Sequence, residues 1–301
     1  MAAPPSLYLG GSRHKLLHMV RHAQGVHNLE SDKSRDPVTS SKFFDAQLSS
    51  LGWEQVRDQR KTVCENGLFQ RIELVITSPL SRTLQTAVGI FHGEEVIADE
   101  SGKVDVKKDE TLTFNNRPPI IVNERCRERL GKYECDKRQS ISQYRSRFPA
   151  VDFSLIEDED DILWTADERE PRDEVIARGM DFMKWLWGRK EKEIALVSHG
   201  VFLQELMIEL INSKKCLPLN MEGDIPRSRF KNCEIRSMII SYDSVMGLVS
   251  DSFAINNINH CGRIQYGFEL LQRDSAKENV SVEDQVTSTN GFPDSTLTVR
   301  S

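Results

Sequence analysis

Arg21 and His22 stand side by side in the stretch His18-Met19-Val20-Arg21-His22-Ala23-Gln24-Gly25-Val26-His27-Asn28, just after the apolar pair Leu16 and Leu17. The stretch reads as a strand end spilling into a loop. An imidazole there can serve as a nucleophile, and the guanidinium beside it can hold a phosphate through two parallel N–H groups. One such pair carries little weight in a chain with 7 His and 40 Lys and Arg. The weight comes from later segments that supply the remaining parts.

The first of these is Ser78-Pro79-Leu80-Ser81-Arg82-Thr83. Residues 72–77 read as a strand and 80–92 as a helix, so Arg82 falls in a first helical turn, the end whose dipole favours anions over cations. Arg82 is either a surface arginine or one placed to meet an anion beside helix N–H groups. The second segment, 123–131, is dense in Glu and Arg, with Glu124 and Glu128 among Arg125, Arg127 and Arg129. That composition is either a solvated face laced with ion pairs or a carboxylic acid held among guanidiniums. The third is Ser198-His199-Gly200, a second histidine at the end of an apolar run.

These residues need elements to position them. Helical spacing over 53–65 puts Val56, Arg60 and Val63 on one face, and Asn66-Gly67 stops the helix. Residues 120–122 have strand character. Over 173–188, Val175, Gly179, Phe182, Met183 and Leu186 share a helical face. Residues 194–197 are all apolar, which predicts a central strand covered on both sides, and 201–211 follow as a helix. A late strand falls over 236–242. Strands alternating with helices imply an α/β fold: three α/β/α layers around a largely parallel sheet. Such folds bind ligands beyond the carboxyl ends of their strands. Arg21, His22, Arg82, His199 and one of the two glutamates then meet at one rim.

Other stretches are plainer. Residues 93–119 read as a charged, aperiodic insertion passing over one face. The five acids at 157–161 read as a solvated loop, since they lack the Gly and alternation of a calcium loop. Residues 1–14 read as an N-terminal extension, 15–272 as a single domain, and 273–301, rich in Ser, Thr and acids, as a disordered tail.

Composition limits what the chain can be. With 301 residues and 38% hydrophobic content, it has ample material for a core. A net charge of −6 argues against a nucleic-acid partner. Six scattered cysteines without a C-x-x-C pair read as reduced thiols, which places the protein in the cytoplasm. No apolar run approaches the roughly 18 residues of a membrane span, so no membrane partner is expected. Nothing calls for a metal or a cofactor.

The assembled set fits phosphoryl transfer. A phosphate monoester carries about −1.5 to −2 charge near neutral pH. Arg21, Arg82 and a protonated His199 offset it. The cations keep His22 neutral and nucleophilic, and a carboxylic acid protonates the departing alkoxide.

Together these residues resemble the histidine phosphatase superfamily, with its phosphoglycerate mutase-like fold, and within it the plant and fungal phosphoglycerate mutase-like proteins. The family's Arg-His-Gly, followed after five residues by Asn, appears as Arg21-His22-Ala23 with Asn28. Its Leu-Thr-x-x-Gly resembles Leu48-Ser49-Ser50-Leu51-Gly52. Its Ser-Pro-x-x-Arg-x-x-Gln-Thr-Ala is met at every specified place from Ser78 to Ala87, and its Val-Ser-His-Gly at Val197, Ser198, His199 and Gly200. The likeness covers about 16–242. It implies that His22 is phosphorylated, that Arg21, Arg82 and His199 bind the phosphate, and that Asn28 supports them. The family's acid is a Glu shortly before a Gly. This favours Glu128, ahead of Gly131, with Glu124 in Asn123-Glu124-Arg125 as the alternative acid and substrate-binding residue. Ala23 departs from the usual Gly and removes backbone freedom beside the nucleophile. Residues 93–119 do not match the long segment that caps the mutases' substrate. The expectation is therefore a metal-independent phosphatase acting on a small phosphorylated metabolite of carbohydrate metabolism. A phosphoglycerate mutase-type isomerase and a phosphate-binding protein without turnover are the alternatives.

Overall fold

Alternation along three strands divides the molecule into layers. Strand β1 (His14–Arg21) sends Leu17 and Met19 into one apolar cluster and Val20 into another on the opposite face. In the computed structural model, residues 14–33, 41–98, 104–108, 117–213, 216–219 and 228–241 are described. The tail from 273 and, apart from His14, the N-terminal extension lie outside them, as does Cys261.

After β1 come α1 (Val26–Lys33), α2 (Ser50–Glu65), α3 (Leu68–Arg71), β2 (Leu74–Thr77) and α4 (Ser81–His92). The chain continues through β3 (Glu94–Ala98), β4 (Val104–Lys108), β5 (Ile120–Val122), α5 (Ile141–Arg147) and β6 (Val151–Asp152). It then forms α6 (Arg172–Trp187), β7 (Glu193–Ser198), α7 (Gly200–Asn212), β8 (Cys216–Leu219) and β9 (Ile235–Ser241). Seven strands form one sheet in the order β6-β5-β2-β7-β1-β9-β8. The five strands from β6 to β1 run parallel, whereas β9 and β8 are antiparallel to their neighbours.

Each central strand serves both faces because successive side chains point to opposite sides. Leu74, Ile76, Ile194 and Leu196 join Leu17 and Met19 against Phe182, Leu186, Phe202 and Leu206 of α6 and α7. Val75, Ala195 and Val197 join Val20 against Val56 and Val63 of α2 and Leu84 and Val88 of α4. This is the expected three-layer α/β/α arrangement, and β7, buried at every position, is its central strand. Arg60 lies on the buried face of α2 as its spacing predicts, donating to the Gly89 carbonyl at 3.0 Å.

Two readings of the sequence are corrected. Part of 93–119 is ordered by pairing: β3 and β4 form an antiparallel ribbon with Val96 opposite Val106. Its exposed charges hide an alternation too short to stand out. The acid run 157–161 is not simply solvated. The carbonyls of Asp158, Glu159 and Asp160 all accept from the Arg138 guanidinium at 2.8 Å. Asp161 is buried against Arg127 through bonds of 2.8 and 2.6 Å. The loop's backbone wraps one arginine while its last acid neutralises another, and composition shows neither. The dense Glu and Arg of 123–131 follow suit, since Arg127 is among the most deeply buried side chains.

Candidate active site

Register brings the site residues together. In the sheet, Arg21 lies opposite Ser198, and Thr77 opposite both Val197 and Val122. The carboxyl ends of β1, β7, β2 and β5 therefore stop level, and the residues that follow share one rim. Three helices also begin there, with Val26, Ser81 and Gly200 as their first residues. Helix starts present free N–H groups and positive dipole ends, the condition for holding an anion.

His22 sits at the floor of this rim, buried. Its backbone N–H donates to Ser198 O at 2.9 Å. Its Nδ1 meets the Ala23 carbonyl at 2.7 Å. A carbonyl only accepts, so Nδ1 carries the proton and Nε2 keeps its lone pair. The His199 ring lies 5.2 Å away, centroid to centroid. Burial, with the Arg82 and Arg21 charges behind it, holds the His22 pKa well below the ordinary imidazole value. His22 is thus a neutral imidazole with a free lone pair.

Arg82 answers the question its position raised. Every residue of α4 is buried, Arg82 included. Its Nη1 donates to Cys135 O at 2.5 Å, and its Nη2 pairs with Asp136 at 2.7 Å. Its Nε finds no acceptor among the described residues. The rest of the motif each binds a different segment. Gln85 accepts from Leu48 N at 2.9 Å. Thr86 accepts from Ala23 N at 3.0 Å and donates to Arg82 O at 2.7 Å. One helix therefore positions both Arg82 and the loop that carries His22. Ser78 completes the set, with its hydroxyl 2.8 Å from His199 Nε2.

His199 Nδ1 is buried and has no partner among the described residues. Burial and the Arg82 charge hold its pKa well below the ordinary value in the pocket as it stands, without the phosphate beside which a protonated His199 is expected. Arg21 packs over the start of α7, where a Cβ on Gly200 would come 3.3 Å from its Nε, and its Nη1 donates to Phe230 O at 2.7 Å. Asn28 holds the loop through an Oδ1 that accepts from Gly25 N at 3.0 Å.

The two candidate acids are placed differently. Glu124 is paired on both oxygens, with Arg127 at 3.1 Å and Arg138 at 2.7 Å. Glu128 accepts only backbone N–H groups, from Arg129 at 3.0 Å and Val201 at 3.1 Å. Val201 lies in the first turn after His199, which sets Glu128 at the α7 end of the rim. Burial, and next the Asp136 charge, push the Glu128 pKa above the ordinary carboxyl value.

Ala23 costs the loop nothing. Among the described non-glycine residues, positive φ occurs at Asp45, Lys132 and Cys233. Ala23 needs no glycine-only conformation. Gly52 is different: a Cβ there would fall 2.2 Å from the Gln24 carbonyl, where α2 abuts the nucleophile's loop.

Sequence reasoning missed several parts. His27 adds a third imidazole, its ring 5.8 Å from that of His22. Asn232 and Cys233 close over the His22 backbone, donating to His22 O at 3.2 and 3.3 Å. Asp136 bridges Arg82 and Arg169. Only His27 carried a signal, by lying inside the opening motif. Among the described residues, no group of three His, Cys, Asp or Glu is arranged to hold a metal ion.

No family model matches the chain. It is similar to Phosphoglycerate mutase-like protein 1 of Arabidopsis thaliana, 46% identical over 264 residues, covering 86% of this chain and 90% of the relative. A second relative from the same plant, Phosphoglycerate mutase-like protein, is 42% identical over 266 residues, covering 85% and 94%. Phosphoglycerate mutase-like protein 2, also from that plant, is 40% identical over 262 residues, covering 76% and 74%.

Proposed function

Because this chain belongs to the phosphoglycerate mutase-like proteins of the histidine phosphatase superfamily, we propose that it hydrolyses a small phosphate monoester through a phosphohistidine on His22. The observation that carries this reading is the His22 tautomer. With Nδ1–H committed to the Ala23 carbonyl, the Nε2 lone pair is free to attack, in a setting that keeps it unprotonated.

The steps balance with water as the only co-substrate. His22 Nε2 attacks phosphorus, the P–N bond forms, and the P–O ester bond breaks. The departing alkoxide takes the proton from Glu128. Water then attacks the phosphohistidine and gives a proton to Glu128, and the P–N electron pair returns to Nε2. Arg21 and Arg82 stabilise the phosphoryl oxygens throughout. A bound dianion supplies the opposing charge that raises the His199 pKa, so His199 joins them as a donor from Nδ1. Glu128 suits the acid role because its carboxylate pairs with no guanidinium among the described residues and burial raises its pKa. Glu124, pinned between two arginines, suits a structural one.

The test is phosphate release from a panel of sugar phosphates, phosphoglycerates and nucleotides, wild type beside His22→Ala. Rapid quenching with ³²P-labelled substrate should trap label on wild-type His22. Release without label on histidine would refute the mechanism. Phosphoglycerate isomerised without release would instead assign a mutase.

A further inference from the structure

The pocket holds a third imidazole, His27, to which the steps above give no part. Its neighbours determine its tautomer. The Gly25 N–H donates to Asn28 Oδ1 at 3.0 Å, which turns Asn28 Nδ2 toward His27 Nε2 at 3.1 Å. An amide nitrogen only donates. Nε2 of His27 is therefore the acceptor, and its proton sits on Nδ1.

That Nδ1–H is buried and meets no acceptor among the described residues. A buried donor left without an acceptor is costly, and native structures keep few of them without reason. Gly25 lets the loop backbone lie close against the ring, for a Cβ there would fall 2.6 Å from Nδ1 and 2.7 Å from Cε1. Burial first, then the Arg82 and Arg21 charges, hold the His27 pKa well below the ordinary value. The ring is thus a neutral donor that feels the charges of Arg82 and Arg21, its centroid 5.8 Å from that of His22.

Building on the phosphohistidine reading, we propose that His27 is a further catalytic residue whose Nδ1–H donates to an oxygen of the phosphoryl group carried to and from His22. Gly25 lets the ring seat against the loop and Asn28 sets its tautomer. A neutral donor suits this place. The guanidiniums and His199 already offset the charge of the phosphoryl group, and a further cation would retard release of the product anion.

The test uses the full chain labelled with ¹⁵N-histidine, titrated with inorganic phosphate. The expected spectrum shows His27 as the Nδ1–H tautomer, its Nδ1 resonance moving together with those of His22 and His199. In parallel, inorganic phosphate is measured as an inhibitor of p-nitrophenyl phosphate hydrolysis. His27→Phe, which keeps a ring but no donor, should weaken inhibition about tenfold to a hundredfold. His27→Gln, which restores an N–H, should recover most of it. An Nε2–H tautomer, a His27 signal that stays still while His22 and His199 move, or unchanged inhibition of His27→Phe would each overturn the assignment alone. If phosphate moves none of the three imidazoles, the phosphohistidine reading falls with it. Should His27→Phe fail to fold, the wild-type spectrum decides.

Discussion

The carboxylate of Asp45 accepts two hydrogen bonds from Ser81, from its amide at 2.8 Å and its hydroxyl at 2.5 Å. Helix α4 has no capping side chain of its own, because Leu80 precedes it. A residue distant in sequence thus caps the helix whose next residue is Arg82.

Burial pushes the Asp45 pKa up to about 6, against about 3.9 in an unfolded chain. Between those values the folded state binds a proton that the unfolded state lacks. This group's contribution to stability is complete below pH 4. It falls by about 1.4 kcal/mol per unit as pH rises toward 6. Asp45→Asn removes that titration while keeping an acceptor for Ser81. Urea midpoints at several pH values between 4 and 7 should show the mutant gaining on wild type as pH rises. A difference independent of pH would refute the assignment.

In the proposed mechanism Glu128 sets the alkaline side of the activity profile. It must hold its proton to serve as acid, so kcat/KM should fall as pH rises through its raised pKa. The acid limb should lie well below the ordinary histidine range, because His22 resists protonation. Glu128→Gln should slow alkyl phosphates about 10²- to 10⁴-fold and p-nitrophenyl phosphate far less, since p-nitrophenolate leaves without a proton. Glu124→Gln should show no such dependence on leaving group and should lower the melting temperature instead.

The fold was legible where the apolar pattern was unambiguous. The all-apolar 194–197 became the central strand, and the spacing of Val175, Phe182 and Leu186 became the buried face of α6. The site was legible where residues sit at strand ends, as with Arg21, His22 and His199, because a parallel sheet brings such ends level. What stayed hidden depends on partners distant in sequence. Nothing near Arg82 announces Asp136, and nothing in an acid run announces that its carbonyls will wrap Arg138. Burial of charge is a tertiary fact, so composition read 123–131 and 157–161 with equal claim to the surface.

Gly52 offers a test of how α2 seats the nucleophile's loop. Alanine inside a helix usually gains about 0.5–1 kcal/mol over glycine. Here the added methyl would meet the Gln24 carbonyl at 2.2 Å. The same carbonyl accepts from Ser49 N at 2.9 Å, and Ser49 Oγ donates to Gln24 Oε1 at 2.8 Å. Gly52→Ala should therefore destabilise the fold and lower kcat by up to about a hundredfold, the scale of an ångström's misplacement at a reacting centre. Ser50→Ala, on the exposed side of the same turn, should change neither. Kinetics and thermal melts of the two variants check this.

The Arg127–Asp161 pair tests whether the acid loop belongs to the wall of the site. Both side chains are essentially closed to solvent, at 0% and 1% exposure. Removing one member of a buried pair strands the other's charge, at a cost of about 3–5 kcal/mol. Asp161→Ala should cost that much in urea unfolding, whereas Asp158→Ala, an exposed neighbour in the same run, should cost almost nothing. Burial alone would raise the Asp161 pKa, but the Arg127 hydrogen bonds and charge outweigh it and hold the group below its ordinary value. Its contribution is therefore present above about pH 4 and is lost as pH falls through the lowered pKa. Arg127 also donates to the Asp136 carbonyl at 2.7 Å, and the Asp136 carboxylate in turn holds Arg82. Loss of Asp161 should thus reach the phosphate as well as the fold. Inorganic phosphate should bind Asp161→Ala more weakly than wild type under conditions where both remain folded. Equal phosphate affinity would confine the acid loop to a purely structural part.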